Sequence, residues 1–209
     1  MVSAEVPEPR AYFTEHLPGQ FERALRAQER AVEAAQRVLD GMRAVQATLA
    51  VTVRGEGGGT FYLNVDGGRL TPGSAPAHPV ALTLVQERGD YERLIRDAGD
   101  SALGFLGGLS GLAGEMRLTK GRLDVLAGVA GTLLFQVKGP EGFSLLTHFG
   151  AGPGKEQPDT VIRVDPDVYT DLRAGRLDAQ NAFMGGKIEV EGDMQLAMQV
   201  ALAAMAPDA

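Results

Sequence analysis

The chain has 209 residues, 44% of them hydrophobic and 22% charged, a formal net charge of −7 and a pI near 5.0. That composition is ordinary for a globular protein that folds on its own core, as one large or two small domains. The acidic balance and the lack of any basic block exclude a general affinity for nucleic acid or anionic membrane, and the absence of Cys excludes disulfides and thiolate metal sites.

The opening MVSAEVPEPR has neither the basic start nor the apolar core of a signal peptide, so a cytoplasmic location is the expectation. Pro7 and Pro9 predict an irregular start and Leu17-Pro18-Gly19 a break. From Gln20 to about Ala44 the pattern predicts one long helix with balanced charge, making residues 1–44 a helical region of their own. Phe21, Gln28, Ala35 and Met42 recur every seven residues, as do Leu25, Val32 and Leu39. Two such rows form a seam expected to pack on a sheet or a second helix, with a homodimer contact as the other possibility.

Beyond this region the sequence repeats itself. Thr48 to Gly55 aligns with Thr132 to Gly139 without a gap, and each ends in a Gly turn. Second strands follow at Thr60 to Val65 and Phe143 to Phe149, then loops carrying Pro79 or Pro158, then third strands at Val80 to Val85 and Thr160 to Val164. A short helix follows each third strand, with Tyr91 and Leu94 in the first matching Tyr169 and Leu172 in the second. Gly114 to Leu118 parallels Gly186 to Val190. Residues 45–130 and 131–209 therefore read as two related units, an internal duplication in which the first copy has degenerated.

The first unit differs from the second between Ala98 and Gly114, a Gly-rich stretch carrying Leu103, Phe105, Leu106, Leu109 and Leu112. These residues form a lid over a cavity, a surface that touches a membrane transiently, or a helix pair packed through its glycines. The uncharged run Ser101 to Gly114 is shorter than the roughly 20 apolar residues of a spanning helix. The unit's last helix, around Arg122 to Val129, has room for about two turns.

In the second unit, a strand ends at Gly192-Asp193 and an amphipathic helix follows, with Asp193 as its cap. Met194, Ala197, Met198, Ala201, Leu202 and Met205 fall on one apolar stripe. Three of the chain's seven Met lie there, and an unbranched, polarizable side chain adapts to apolar shapes that vary. Such a stripe either fills a core or lines a lipid site.

Groups for catalysis do not assemble. His16, His78 and His148 are far apart and form no spaced ligand pair. Asp165-Pro166-Asp167 reads as a helix cap and first turn. Gly150 to Glu156 is one residue short of a phosphate-binding loop and has Glu where Ser or Thr should hold magnesium. With no nucleophile elbow or dinucleotide fingerprint either, no enzyme activity, cofactor or metal is expected.

The order Gly175, Leu177-Asp178, Gln180, Ala182-Phe183, Gly186-Lys187-Ile188, Gly192-Asp193-Met194 and Leu196-Ala197 resembles the C-terminal signature of the sterol carrier protein type 2 family. Asp159 to Val164 and Asp165 to Leu172 resemble that family's third strand and the helix after it. The resemblance covers about 132–205 and, more faintly, an earlier copy at about 45–130. It implies an α+β fold of tandem sterol-carrier-like units, each a mixed or antiparallel sheet covered by helices, behind the long N-terminal helix. It also implies non-catalytic binding or transfer of a sterol-like, fatty acyl or isoprenoid lipid in a tunnel between sheet and helices. Phe183, Met184, Ile188, Met194, Ala197, Met198, Ala201 and Leu202 are then the expected lining. The alternative is an interaction or assembly module with a closed cavity, serving enzymes of hydrophobic substrates.

Overall fold

The computed structural model of the chain describes residues 6–101, 103–106, 117–150 and 154–205. Its backbone divides into two compact units, residues 1–40 and 41–208.

The first unit is helical. A turn at Pro9–Ala11 and a π-helical turn at Tyr12–His16 lead into α1, Leu17–Arg43. The break expected at Leu17-Pro18-Gly19 does not occur. The Leu17 N–H donates to the Tyr12 carbonyl, five residues back. The wide turn thus resets the bonding just before Pro18, which has no N–H to give and sits where a helix tolerates that loss. No residue of α1 is buried, and its apolar rows lie at the surface, Phe21 being 72% and Val32 69% exposed.

The second unit is built on one eight-stranded sheet. Its strands are β1 (Gln46–Arg54), β2 (Gly59–Asp66), β3 (Arg69–Gly73), β4 (Val80–Glu87), β5 (Gly131–Val137), β6 (Ser144–Phe149), β7 (Thr160–Val164) and β8 (Ile188–Gly192). They lie in the order β3-β2-β1-β4-β6-β5-β7-β8. β1 pairs antiparallel with β2 and parallel with β4, and β5 repeats this with β6 and β7. The halves join where β4 pairs antiparallel with β6, Leu82 opposite Phe149 and Leu84 opposite Thr147. β8 lies antiparallel on the outer side of β7. In the first half the corresponding place, beside β4, is held by β6. Of the strand expected at Gly114 to Leu118, only Arg117 and Leu118 are described, and they are irregular.

Period-two alternation gives the sheet two unlike faces. Leu49, Leu84, Leu133, Phe135, Leu145, Phe149, Ile162 and Val164 enter a single core. Over it lie α2 (Arg88–Ala98), a 3₁₀ turn at Gly104–Leu106, α3 (Lys120–Leu126), α4 (Pro166–Arg173), α5 (Ala179–Met184) and α6 (Met194–Met205). Phe135, Phe143 and Tyr169 pack with ring centroids 5.4 to 6.2 Å apart, anchoring α4 to β5. Burial there pushes the Tyr169 hydroxyl up to about 12.

On the opposite face several buried polar groups bond to one another, while His148 Nε2 is buried with no hydrogen-bond partner among the described residues. The Thr48 hydroxyl donates to Asn64 Oδ1 at 2.6 Å, and that oxygen also accepts the Ala77 N–H at 2.9 Å. Thr132 Oγ1 and His148 Nδ1 are 3.0 Å apart.

A candidate apolar binding groove

The site begins with the turn between β8 and α6. Gly192 turns the chain with φ +94°, and a Cβ there would stand 2.3 Å from the Asp159 carbonyl oxygen. Only glycine allows this approach. Asp193 Oδ1 then accepts the N–H groups of Gln195 at 2.9 Å and Leu196 at 3.2 Å, which is the cap expected of it. The Asp193 backbone is held on both sides, its N–H donating to Asp159 O at 2.9 Å and its carbonyl accepting the Thr160 hydroxyl at 2.6 Å. Four hydrogen bonds thus set the direction in which α6 leaves the sheet.

α6 has two apolar faces. Leu196, Val200, Ala203 and Ala204 are buried, while Met194, Met198 and Leu202 are 43%, 59% and 61% exposed. The exposed side, with Ala197 and Ala201, forms one wall of a groove of ≈ 340 Å³. Ile162, Ile188 and Val190 line it from paired strands β7 and β8, where Ile162 faces Val190. Ala179, Gln180 and Phe183 close it from α5, whose start is capped by Asp178 accepting the Asn181 N–H at 3.0 Å. Among the described residues, none that lines the groove is ionisable and Gln180 alone has a polar side chain. Its volume falls near the lower end of the roughly 300–1,000 Å³ typical of small-molecule pockets.

Seven of the eight residues expected at an apolar site meet here: Phe183, Ile188, Met194, Ala197, Met198, Ala201 and Leu202. Met184 is not among them; it is 76% exposed. Ile162, Ala179, Gln180 and Val190 were not anticipated. Ala179 and Gln180 lie one turn before Phe183 and so share its helix face, a spacing visible in the sequence.

The three expected lid residues that are described lie away from the groove. Leu106 is 1% exposed, and Leu103 and Phe105 pack partly buried against the core. Leu109 and Leu112 fall outside the described residues. Leu106, Leu49, Leu82, Leu118 and Leu126 enclose, with Ala203 and Ala204, a gap of only ≈ 10 Å³. Among the described residues, these side chains pack closely around the gap, which is too small for a guest.

Among the described residues, the charged groups on the neighbouring strands and loops pair with one another, and none lines the groove. Lys138 Nζ lies 2.6 Å from Glu189 Oε1 and 3.5 Å from Asp165 Oδ1. The hydrogen bond to Glu189 holds the ammonium above its ordinary range. Asp165 occupies the N-cap position of α4, as expected, but makes no capping bond; its carboxylate is turned to Lys138. In the loop Gly150 to Glu156, of which 151–153 lie outside the described residues, Lys155 pairs with Asp159 at 2.9 Å. The bonds from Lys155 and from the Thr132 N–H keep the Asp159 carboxyl below the usual carboxylate range. Among the described residues, no three His, Asp or Glu are grouped to hold a metal ion, and no helix is long and apolar enough to cross a membrane.

Residues 115–204, which contain every groove residue, match the SCP-2 sterol transfer family. The peroxisomal multifunctional enzyme A of Dictyostelium discoideum is 37% identical over 49 residues, 23% of this chain and 11% of that protein. The human hydroxysteroid dehydrogenase-like protein 2 is 28% identical over 84 residues, 37% of this chain and 20% of that protein. The chain thus spans a fifth or less of the length of these curated relatives. Among solved structures, the sterol carrier protein domain 2 of Helicoverpa armigera aligns over 39% of this chain and 74% of its own, with 29% identity and a TM-score of 0.30. The apo sterol carrier protein 2 of Yarrowia lipolytica aligns over 51% of this chain and 95% of its own, with 19% identity and a TM-score of 0.31.

Proposed function

Taking the segment 115–204 as SCP-2 sterol transfer sequence, we propose that the groove between α5, α6 and the β7-β8 pair binds an apolar lipid and passes it on without chemical change. One observation carries this reading: α6 buries one apolar face and still leaves Met194, Met198 and Leu202 exposed along a concave, uncharged wall. A helix serving only its own core presents polar groups on its outer side. Here those positions hold flexible Met and Leu, which supports an apolar guest with loose shape selectivity.

Binding is driven by taking ligand surface out of water. Covering about 200 Å² of an acyl chain or isoprenoid at about 25 cal/mol per Å² contributes about 5 kcal/mol before the costs of ordering it. No polar contact is needed beyond Gln180 at the α5 side. The small gap beside Leu106 and the shared sheet support a scaffold role for the described residues of the first half. The relatives bearing enzyme names match over short segments, and no catalytic role is proposed for this chain.

The test is uptake of a fluorescent fatty acid by the full chain and by Met198→Trp. The indole fills the groove from an exposed position, so uptake falls at least several-fold with the unfolding midpoint unchanged. Unaltered uptake by a folded Met198→Trp protein removes the groove from the proposal.

A further inference from the structure

α1 carries a second exposed apolar surface, independent of the groove. Leu25, Val32 and Leu39 alternate with Phe21, Gln28, Ala35 and Met42 at three- and four-residue steps, the a and d pattern of a coiled coil. These side chains are not seated in a core: Phe21, Leu25 and Val32 are 72%, 53% and 69% exposed. The columns beside the seam differ. One holds the small or apolar Ala24, Ala31 and Val38. The other runs Glu22, Glu29, Gln36, Arg43, acidic toward the N-terminus and basic at the C-terminus.

The columns select an orientation. In a parallel pair the small column of each helix faces the charged column of the other, so Glu22, Glu29 and Arg43 gain no partner. In an antiparallel pair each column faces its own kind, reversed. Small residues then meet small residues and extend the apolar seam, and the acidic end of the charged column meets the basic end. Register follows from the same charges. With Leu25 opposite Met42 of a second copy and Val32 opposite Ala35, Glu22 comes beside Arg43 and Glu29 beside Gln36. The register with Leu25 opposite Ala35 sets Glu29 against Glu29, a like-charge contact.

We propose that two copies of this chain associate through α1, antiparallel, in the register that places Leu25 opposite Met42. The overlap from about Ala24 to Arg43 gives a seam about 30 Å long at 1.5 Å per residue. This self-association does not depend on the lipid reading and is measured without ligand.

The full chain at micromolar concentration is expected to sediment at twice its 22.0 kDa mass. Val32→Glu, at an exposed position, leaves the fold intact and yields a monomer. Arg43→Glu weakens the dimer several-fold, and adding Glu22→Arg to the same chain restores it. Because the chain has no Cys, orientation can be read by oxidation. A mixture of Leu25→Cys and Met42→Cys proteins cross-links, while neither alone forms more than a trace. A monomeric wild type, a dimer that survives Val32→Glu, or Leu25→Cys cross-linking to itself overturns the proposal.

Discussion

Gly131, at the start of β5, lies directly under Leu196 of α6: a Cβ there would stand 2.7 Å from Leu196 Cδ2 and 3.4 Å from Cδ1. Leu196 belongs to the buried face of the helix whose other side walls the groove. The sheet and the groove wall are therefore in contact at a position with no space for a methyl group.

Gly131→Ala tests that contact. The backbone there has φ +140°, which a side chain adopts only with strain, and the added methyl must displace Leu196. Destabilisation of about 1–3 kcal/mol is expected, read as a lower urea midpoint with unchanged slope. Displacing Leu196 also moves α6, so uptake of a fluorescent fatty acid drops as well. A wild-type midpoint together with wild-type uptake contradicts this coupling.

Neighbouring residues on α5 provide an internal control for the groove. Phe183 lines it and Met184 does not, although both are substantially exposed, at 46% and 76%. Phe183→Ala removes an aromatic wall and weakens probe binding by roughly tenfold, the effect of about 1.4 kcal/mol. Met184→Ala leaves binding within twofold. Titrating both variants with one probe distinguishes a defined groove from general surface greasiness, since equal losses at both positions point to the latter.

How far this architecture is legible in the sequence depends on what each residue's signal reports. Alternation in Leu133, Phe135 and Val137, and in Ile162 and Val164, marks β5 and β7 and the face they bury. Gly192-Asp193 marks the start of α6 because turn and cap are local. The faces of α6 are harder to assign. Leu196, Val200, Ala203 and Ala204 form a second apolar row beside the Met stripe, and periodicity tells which residues share a face without telling which face meets the core. Phe183 and Met184 differ only by helix phase, which the packing of α5 sets. β3 escaped prediction because Pro72 argues against a strand. Pro is tolerated at a sheet edge, where β3 lies, and Gly67-Gly68 forms its two-residue turn with β2. The β4–β6 pairing is long-range and has no local signal.

Leu106 tests the packing beneath β1 and β4. It is fully enclosed among Leu49, Leu82, Leu118 and Leu126, next to a gap of ≈ 10 Å³. Truncation to Ala loses buried area and leaves a cavity that tight surroundings cannot close, costing about 2–5 kcal/mol. Lipid probe binding measured below the unfolding transition stays at the wild-type level, because Leu106 does not touch the groove. A residue acting as a lid behaves the opposite way, changing uptake rates with little effect on the urea midpoint.

Asp159 couples stability to pH. Its carboxylate accepts the Thr132 N–H at 2.9 Å and a Lys155 hydrogen bond at 2.9 Å, and its carbonyl accepts the Asp193 N–H that starts α6. The Lys155 bond first, then the Thr132 N–H, lower its folded pKa below the ordinary 3.8. A carboxyl depressed on folding stabilises the native state above its unfolded pKa, and that contribution is lost as pH falls through the folded value. Urea midpoints of the wild type are therefore expected to fall with pH below about 4, and less steeply in Asp159→Asn, which keeps an acceptor but no charge. At pH 7 Asp159→Ala strands the N–H of Thr132, a residue with no exposed surface, and loses about 1–3 kcal/mol. Identical acid slopes for wild type and Asp159→Asn rule out this carboxylate as the source of the pH dependence.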